Sequence, residues 1–156
     1  MENLTDKADS VDTVVVRDYK SKDYEQVQHV WEKSGVGGAH RGDNQKIIEQ
    51  SIDIGGKLLV LEDQRENKIL GTSWMTFDGR RIHLHHIGVL PEYQNRGYGS
   101  LLTVHSINFA KQKGCQIKLE VHSNNTNAIS LYKKLGFKRL GDYDIYIIRE
   151  FSHIKI

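Results

Sequence analysis

The dipeptide Asp78-Gly79 stands between two long β-type runs, "KILGTSWMTF" before it and "RIHLHHIGV" after Arg80. Asp-Gly is favoured chemistry for reversing a chain between paired strands, because glycine enters positive φ at no steric cost. The two runs are therefore predicted to be antiparallel neighbours. A lone hairpin is marginal in water and needs further strands or helices against it. That requirement organises the rest of the sequence.

Upstream, "TVVVRDY" and "KLLVLE" read as strands from their branched and aliphatic runs. Between them lie two helical patterns. Ser21 is placed to cap the first, with Asp23 in its first turn and Tyr24, Val27 and Trp31 on one face. Asp43 is placed to cap the second, which carries Ile47, Ile48 and Ile52 and stops at Gly55-Gly56. The glycine-rich "GVGGAHRGDN" joins the two helices.

Downstream, a helix is predicted from about Gly99 to Lys113, with Leu101, Leu102, Val104, Ile107 and Phe109 as a broad apolar face and Gly114 as its stop. "QIKLEV" is a strand, "HSNNTN" a turn, and "AISLYKKLGF" a helix with Ala128, Leu131, Tyr132 and Leu135 on one face. Two closing strands are expected around "FKRL" and "YDIYIIRE". The order β-α-α-β-β-β-α-β-α-β-β implies one layered α/β domain over 13–156, a mixed sheet with helices on its faces.

Composition removes several classes. The net charge is +2 and the basic residues are scattered, so no nucleic-acid partner is expected. Cys115 is the one cysteine, which excludes an internal disulfide and fits a reducing, cytoplasmic setting. It reads as a small residue entering a strand, since no histidine neighbours it in a nucleophile motif. Residues 1–12, "MENLTDKADSVD", are polar and expected to be a flexible tail rather than a signal peptide. No run is long enough to span a membrane, and no membrane partner is expected.

The stretch "PEYQNRGYGS", residues 91–100, joins the second hairpin strand to a helix. It is not a P-loop, because Ser100 follows the second glycine without a lysine. It is not a dinucleotide fingerprint either, because Leu102 stands where the third glycine belongs. What remains reads either as a tight strand-to-helix turn, the plainer reading of the loop alone, or as an anion seat. A strand, a loop and a helix N-terminus present free N–H groups at the positive end of the helix dipole. Gly97 and Gly99 admit a ligand close to the backbone, and Arg96 adds a cation.

With its flanks, "GVLPEYQNRGYGSLL" resembles the signature of the GNAT superfamily of N-acetyltransferases. Gln94-x-x-Gly97-x-Gly99 matches that family's pyrophosphate loop for acetyl-CoA, which also brings in Asn95, Arg96 and Tyr98. "IGV", with Ile87 and Val89, resembles the bulged strand whose backbone pairs with the pantetheine arm. "LEVHSNNTNAISLYKKLGF" resembles the family's second half-motif, in the right order and spacing. The resemblance implies a mostly antiparallel sheet with a bulged, splayed central strand pair and helices on both faces. It covers nearly the whole chain after the tail.

The same resemblance implies direct transfer of acetyl from coenzyme A to an amine, with acetyl-CoA as co-substrate and no metal. Val89 maps to the oxyanion donor, with Gly88 beside it easing a bulge. Tyr132 maps to the acid that protonates the leaving thiolate; without the resemblance it reads as a core aromatic on an apolar helix face. Asn125 maps to the asparagine that bonds the pantetheine arm, with Asn124 and Asn127 as register alternatives; its plainer reading is a helix cap.

For the base, Glu120, His83 and His85 stand level, with a water relay as a further route. Strand alternation places His83 and His85 on one face and His86 on the other, so three histidines are not expected to converge on a metal. The acceptor loops of such a fold are "GVGGAHRGDN", with His40, Arg41 and Asp43, and "LGDYDI", with Asp142, Tyr143 and Asp144. A small-molecule amine acceptor is the first reading. A protein N-terminus, by likeness to the ribosomal-protein alanine N-acetyltransferases, is the second. A non-catalytic acyl-CoA-binding module is the third. A homodimer is compatible with the resemblance, and no residue demands one.

Overall fold

The computed structural model describes residues 13–155, so the expected tail at 1–12 lies outside the described residues. The hairpin around Asp78-Gly79 forms as expected. Strand β3 (Lys68–Phe77) and strand β4 (Arg81–Val89) pair antiparallel. The Asp78 carboxylate accepts the Arg80 and Arg81 amides at 2.8 and 2.6 Å, and Gly79 sits at φ 88°. Strands β1 (Val14–Asp18) and β2 (Lys57–Asp63) extend the meander, and β5 (Gln116–Leu119) adds to β4 in parallel. The strand order is β1-β2-β3-β4-β5.

Period-2 alternation in the strands splits the core into two layers. On one face, Leu58, Val60, Ile69, Trp74 and Leu90 meet Val27, Val30 and Trp31 of α1 (Tyr24–Ser34) and Ile48 of α2 (Gln45–Asp53). On the other, Leu59, Leu61, Leu70, Met75, Ile82 and Leu84 meet Leu102 and Ala110 of α3 (Tyr98–Lys113). Each such side chain contributes about 1.5–3 kcal/mol on burial. Both tryptophan N–H groups are satisfied: Trp31 donates to Thr72 Oγ1 at 2.8 Å and Trp74 to Ser51 Oγ at 3.0 Å.

Local expectations shift in three places. Asn44, not Asp43, caps α2, accepting the Ile47 amide at 3.1 Å. Ser21 does not cap α1. Instead the Asp23 carboxylate, 3 % exposed, accepts the Lys20 amide at 2.8 Å and a fork from Arg17 at 2.7 and 3.0 Å. Arg17 also reaches Glu62, tying β1, β2 and the start of α1 together. The face of α3 toward the sheet is narrower than its leucines suggest. Leu102, Thr103, Ser106 and Ala110 are buried, while Leu101 and Val104 face outward. Ser106 and Ser73 share a buried hydroxyl–hydroxyl bond of 2.7 Å across that close approach.

Two irregularities of β4 prepare the site. Its pairing with β5 ends at Leu84↔Leu119, so β4 runs on to Val89 paired to β3 only and the two strands part. Its register with β3 jumps from Met75↔Leu84 to Trp74↔His86, leaving His85 as an extra residue. The bulge is therefore at His85 and not at Gly88. Gly88 has a different reason to be glycine: a Cβ there would meet Ser34 Oγ at 2.7 Å and Val36 Cγ2 at 2.9 Å.

The expected order holds through α4 (Thr126–Lys134). The two closing strands are not formed among the described residues. "FKRL" and "YDIYIIRE" make no ladder, and Ile145, Tyr146 and Ile147 are exposed. β-propensity expresses itself only through cross-strand pairing and burial, and this segment gains neither.

Candidate active site

Where β4 leaves β5, the chain opens a cavity of about 280 Å³. Ile87 and Val89 form its sheet side, Gln94, Asn95, Gly97, Tyr98 and Gly99 its loop, and Asn127, Ala128, Leu131 and Tyr132 of α4 its far wall. Tyr93 and Thr103 complete it. Residues from both sequence motifs thus meet in one place.

The loop is held by its own side chains. Gln94 donates from Nε2 to the Val89 carbonyl at 2.9 Å, pinning the loop to the end of β4. Asn95 at φ 61° and Gly97 at φ 83° turn the backbone into α3. No side chain caps α3 and its first turn holds no acidic residue. The amides of Tyr98, Gly99 and Ser100 open the helix at its positive end. A Cβ at Gly97 or Gly99 would meet nothing, so the space beside the backbone is free for a bound group. These features fit a pyrophosphate.

Two expected cofactor contacts are placed elsewhere. Arg96 donates to the Glu92 carbonyl at 3.1 Å and lies over the Tyr93 ring, so it does not line the cavity. Asn125 caps α4, accepting the Ala128 amide at 3.2 Å, and it is Asn127 that faces the cavity. The cap reading of Asn125 is realised, and Asn127, its register alternative, lines the cavity. Tyr132 packs edge-on against Phe137 at 5.6 Å, and burial pushes its phenol pKa up, so it keeps its proton at neutral pH.

The histidines occupy the opposite, α1-facing side of β4. His83 and His85 stack at 4.5 Å, and His85 Nε2 is 2.7 Å from Thr76 Oγ1. The bulge overturns the expected alternation: His86 lies on this same side, edge-on to Trp31 at 4.7 Å. Burial lowers the His83 pKa, opposed by the charge of Glu120. Burial with the neighbouring His83 takes His85 down to about 4. Burial with His85 and Arg41 takes His86 to about 4. Glu120 is exposed, just past β5, with Lys118 at 3.9 Å. Among the described residues no group of three or more His, Cys, Asp or Glu is placed to hold a metal.

Of the acceptor-loop residues, His40 and Arg41 line a second cavity of about 520 Å³ beside Gln28, Trp31 and Glu32. Asp43 turns inward to the Gly38 amide at 3.3 Å. Asp142, Tyr143 and Asp144 are exposed and line neither cavity. Sequence reasoning missed Thr103, Leu131 and His86. The first two carried only ordinary helical periodicity, and the third was hidden by the bulge.

Comparison with known proteins agrees with this geometry. Residues 23–137 match the Acetyltransferase (GNAT) family. A mycothiol acetyltransferase of Kocuria rhizophila is 34% identical over 111 residues, covering 63% of this chain and 35% of that protein. A thialysine N-epsilon-acetyltransferase of Bos taurus is 42% identical over 69 residues, covering 44% of this chain and 41% of that protein. The chain thus spans well under half the length of these relatives. Among solved structures, the ribosomal-protein-S18-alanine N-acetyltransferase of Escherichia coli superposes with TM-score 0.68 at 22% identity, over 80% of this chain and 77% of that one. AAC(6')-Iy with a CoA bisubstrate analogue gives 0.71 at 19%, over 87% and 98%. At these identities the superpositions speak for the fold. A glycine loop at the start of α3, a splayed β4 and a match running from Asp23 to Phe137 place this chain in the GNAT acetyltransferase family.

Proposed function

We propose that this protein transfers acetyl from acetyl-CoA to the primary amine of a small molecule by direct attack. One observation carries the reading: the α3 N-terminus, the end of β4 that β5 leaves uncovered and Tyr132 border a single cavity. The amides of Tyr98, Gly99 and Ser100 hold the pyrophosphate. The pantetheine arm runs along Ile87–Val89, where β5 no longer occupies the edge of β4. The Leu90 amide bonds Leu70 of β3 at 2.8 Å, so by strand alternation the Val89 amide points the other way, into the splay. There it receives the oxyanion.

The amine arrives as its ammonium, loses a proton, and its nitrogen forms a bond to the acetyl carbon. Collapse of the tetrahedral intermediate breaks the carbon–sulfur bond, Tyr132 delivers its proton to the departing thiolate, and the second proton shed by the nitrogen restores the phenol. His83 is the base we favour over His85. Its neighbour Glu120 supports the imidazolium, whereas the second histidine is held at about 4 and is already engaged by Thr76.

Both relatives named above carry small molecules in their names, which supports a small amine over a protein N-terminus. The single cysteine fits a reducing cytoplasm. No helix among the described residues is long and apolar enough to cross a membrane.

The test is thermal unfolding with and without acetyl-CoA, followed by an amine panel. The panel contains thialysine, neamine, spermidine, glucosamine and a peptide with an N-terminal alanine. Acetyl-CoA at about a hundred times its dissociation constant should add roughly 2.7 kcal/mol of stability. Product with a small amine and not with the peptide is expected. Product with the peptide alone would overturn the small-molecule reading, and an unmoved midpoint would remove the cofactor site.

A further inference from the structure

The transfer chemistry above leaves His86 unused. Unlike His85, which meets Thr76, it has both ring nitrogens sealed from solvent with no hydrogen-bond partner among the described residues. Buried polar groups in native proteins are nearly always paired, so an orphaned imidazole marks a contact that something else makes. Its surroundings are specific. Trp31 of α1 meets the ring edge-on at 4.7 Å, and Trp74 of β3 lies at 5.8 Å. The loop between α1 and α2 covers it. A Cβ at Gly37, φ 48°, would collide with His86 Nε2 and stand 3.2 Å from Asp43 Oδ2. The imidazole and the Asp43 carboxylate therefore converge beneath that glycine. Beside them opens the cavity lined by Trp31, Glu32 and Arg41.

Position along β4 gives this pocket its meaning. Leu84 is the last residue paired to β5, and His85 and His86 are the first beyond it. Ile87, the next residue, faces the opposite cavity. With the thioester in the cavity of α3 and α4, the α1-side cavity is left for the amine, and these two residues lie between the two.

We propose that His86 is a positioning residue for the acceptor: its imidazole, beside Asp43 and against Trp31, takes a hydrogen bond from the incoming amine. The inference rests on the acetyl-transfer reading. The groups that face the ring are His85 on β4, Trp74 on β3, Trp31 on α1, and Arg41 and Asp43 on the covering loop. Held at about 4, the imidazole is uncharged at neutral pH, with one nitrogen free to accept and the other to donate. A group so weakly basic orients the amine and leaves proton removal to another. The glycines at 35, 37, 38 and 42, all at positive φ, let the loop shift to admit it.

The test uses the full chain, acetyl-CoA and whichever amine of the panel is turned over. His86→Phe keeps the ring and its tryptophan contacts and removes both nitrogens; His86→Asn restores a side-chain acceptor. Expected for His86→Phe is an acceptor KM raised roughly tenfold or more, the scale of a lost hydrogen bond to a charged group. The acetyl-CoA-dependent midpoint rise should be unchanged, and His86→Asn should recover part of the loss. An acceptor KM within about twofold of wild type in folded His86→Phe overturns the proposal. If neither variant folds, ring ¹⁵N spectra of wild type decide. A shift of the His86 nitrogens on adding the amine supports the assignment, and none overturns it. Wild type that turns over no amine and shows no midpoint rise is a different failure: it removes the transfer reading itself, and this proposal with it.

Discussion

Residues 13–110 and residues 111–155 are built to different standards. The first stretch closes two apolar layers around a four-strand meander, with Trp31, Leu58, Leu61, Ile82 and Leu102 wholly buried. In the second, no residue is buried among those described, although it contains β5, α4 and Tyr132. The half with the core supplies the Gln94–Gly99 loop and the edge of β4 beyond β5. The half without it supplies the far wall of the cavity, Tyr132 included. Stability and chemistry are thus partly separated: the scaffold stands on its own packing, and the wall that carries Tyr132 has few contacts to hold it.

Substitutions in the two halves should reflect this contrast. The largest effect is expected at Asp23. Burial would raise its pKa, but the Arg17 fork and the Lys20 amide hold it below the usual carboxylate range. Asp23→Ala leaves Arg17 with Glu62 and the Asp18 carbonyl and should cost about 1–3 kcal/mol in denaturant unfolding. A loss below about 1 kcal/mol would show that the trio is a surface pair and that the first half is not as tightly tied as it looks.

Tyr132→Phe should do the reverse. Turnover should fall about a hundredfold, the low end for a general acid, while the unfolding midpoint stays within the range of a surface change. Unchanged turnover would reassign Tyr132 to packing against Phe137 alone.

Acidification addresses the α1-facing side of β4. His85 and His86 sit at about 4 in the folded chain, below the ordinary histidine value of about 6.5. As pH falls from about 6.5 to 4, the unfolded chain therefore takes protons first and stability declines. Asp23 and Glu62, both lowered, add their own loss only below about 4. Melting curves at pH 7 and pH 5 should show a drop in wild type and a smaller one in His86→Phe. Equal drops would place the titration elsewhere.

The smallest effect belongs to the far end of the chain. Ile147→Ser alters a residue 69% exposed and should change stability by no more than about 0.5 kcal/mol in a melt. A cost of several kcal/mol would mean that "YDIYIIRE" is packed in solution, and the contrast between the halves would narrow.

The sequence by itself determined whatever depends on short-range chemistry. Asp78-Gly79 set the hairpin, since only a turn tolerant of positive φ reverses two such strands. Gln94, Gly97 and Gly99 set the loop that lines the cavity, and Tyr132 reached that cavity on the helix face its spacing specified. The tertiary structure decided sidedness. Whether His86 shares a face with His83 depends on one extra residue opposite Trp74 and Met75. A period-2 pattern cannot record that insertion, because a bulge comes from the competing registers of two strands. The same holds for Arg96, which turned to Glu92 and Tyr93, and for Asn127, which took the cavity while Asn125 capped α4. The Arg96 and Asn125 contacts lie within four residues along the chain, and residue spacing alone does not rank them against a place in the cavity.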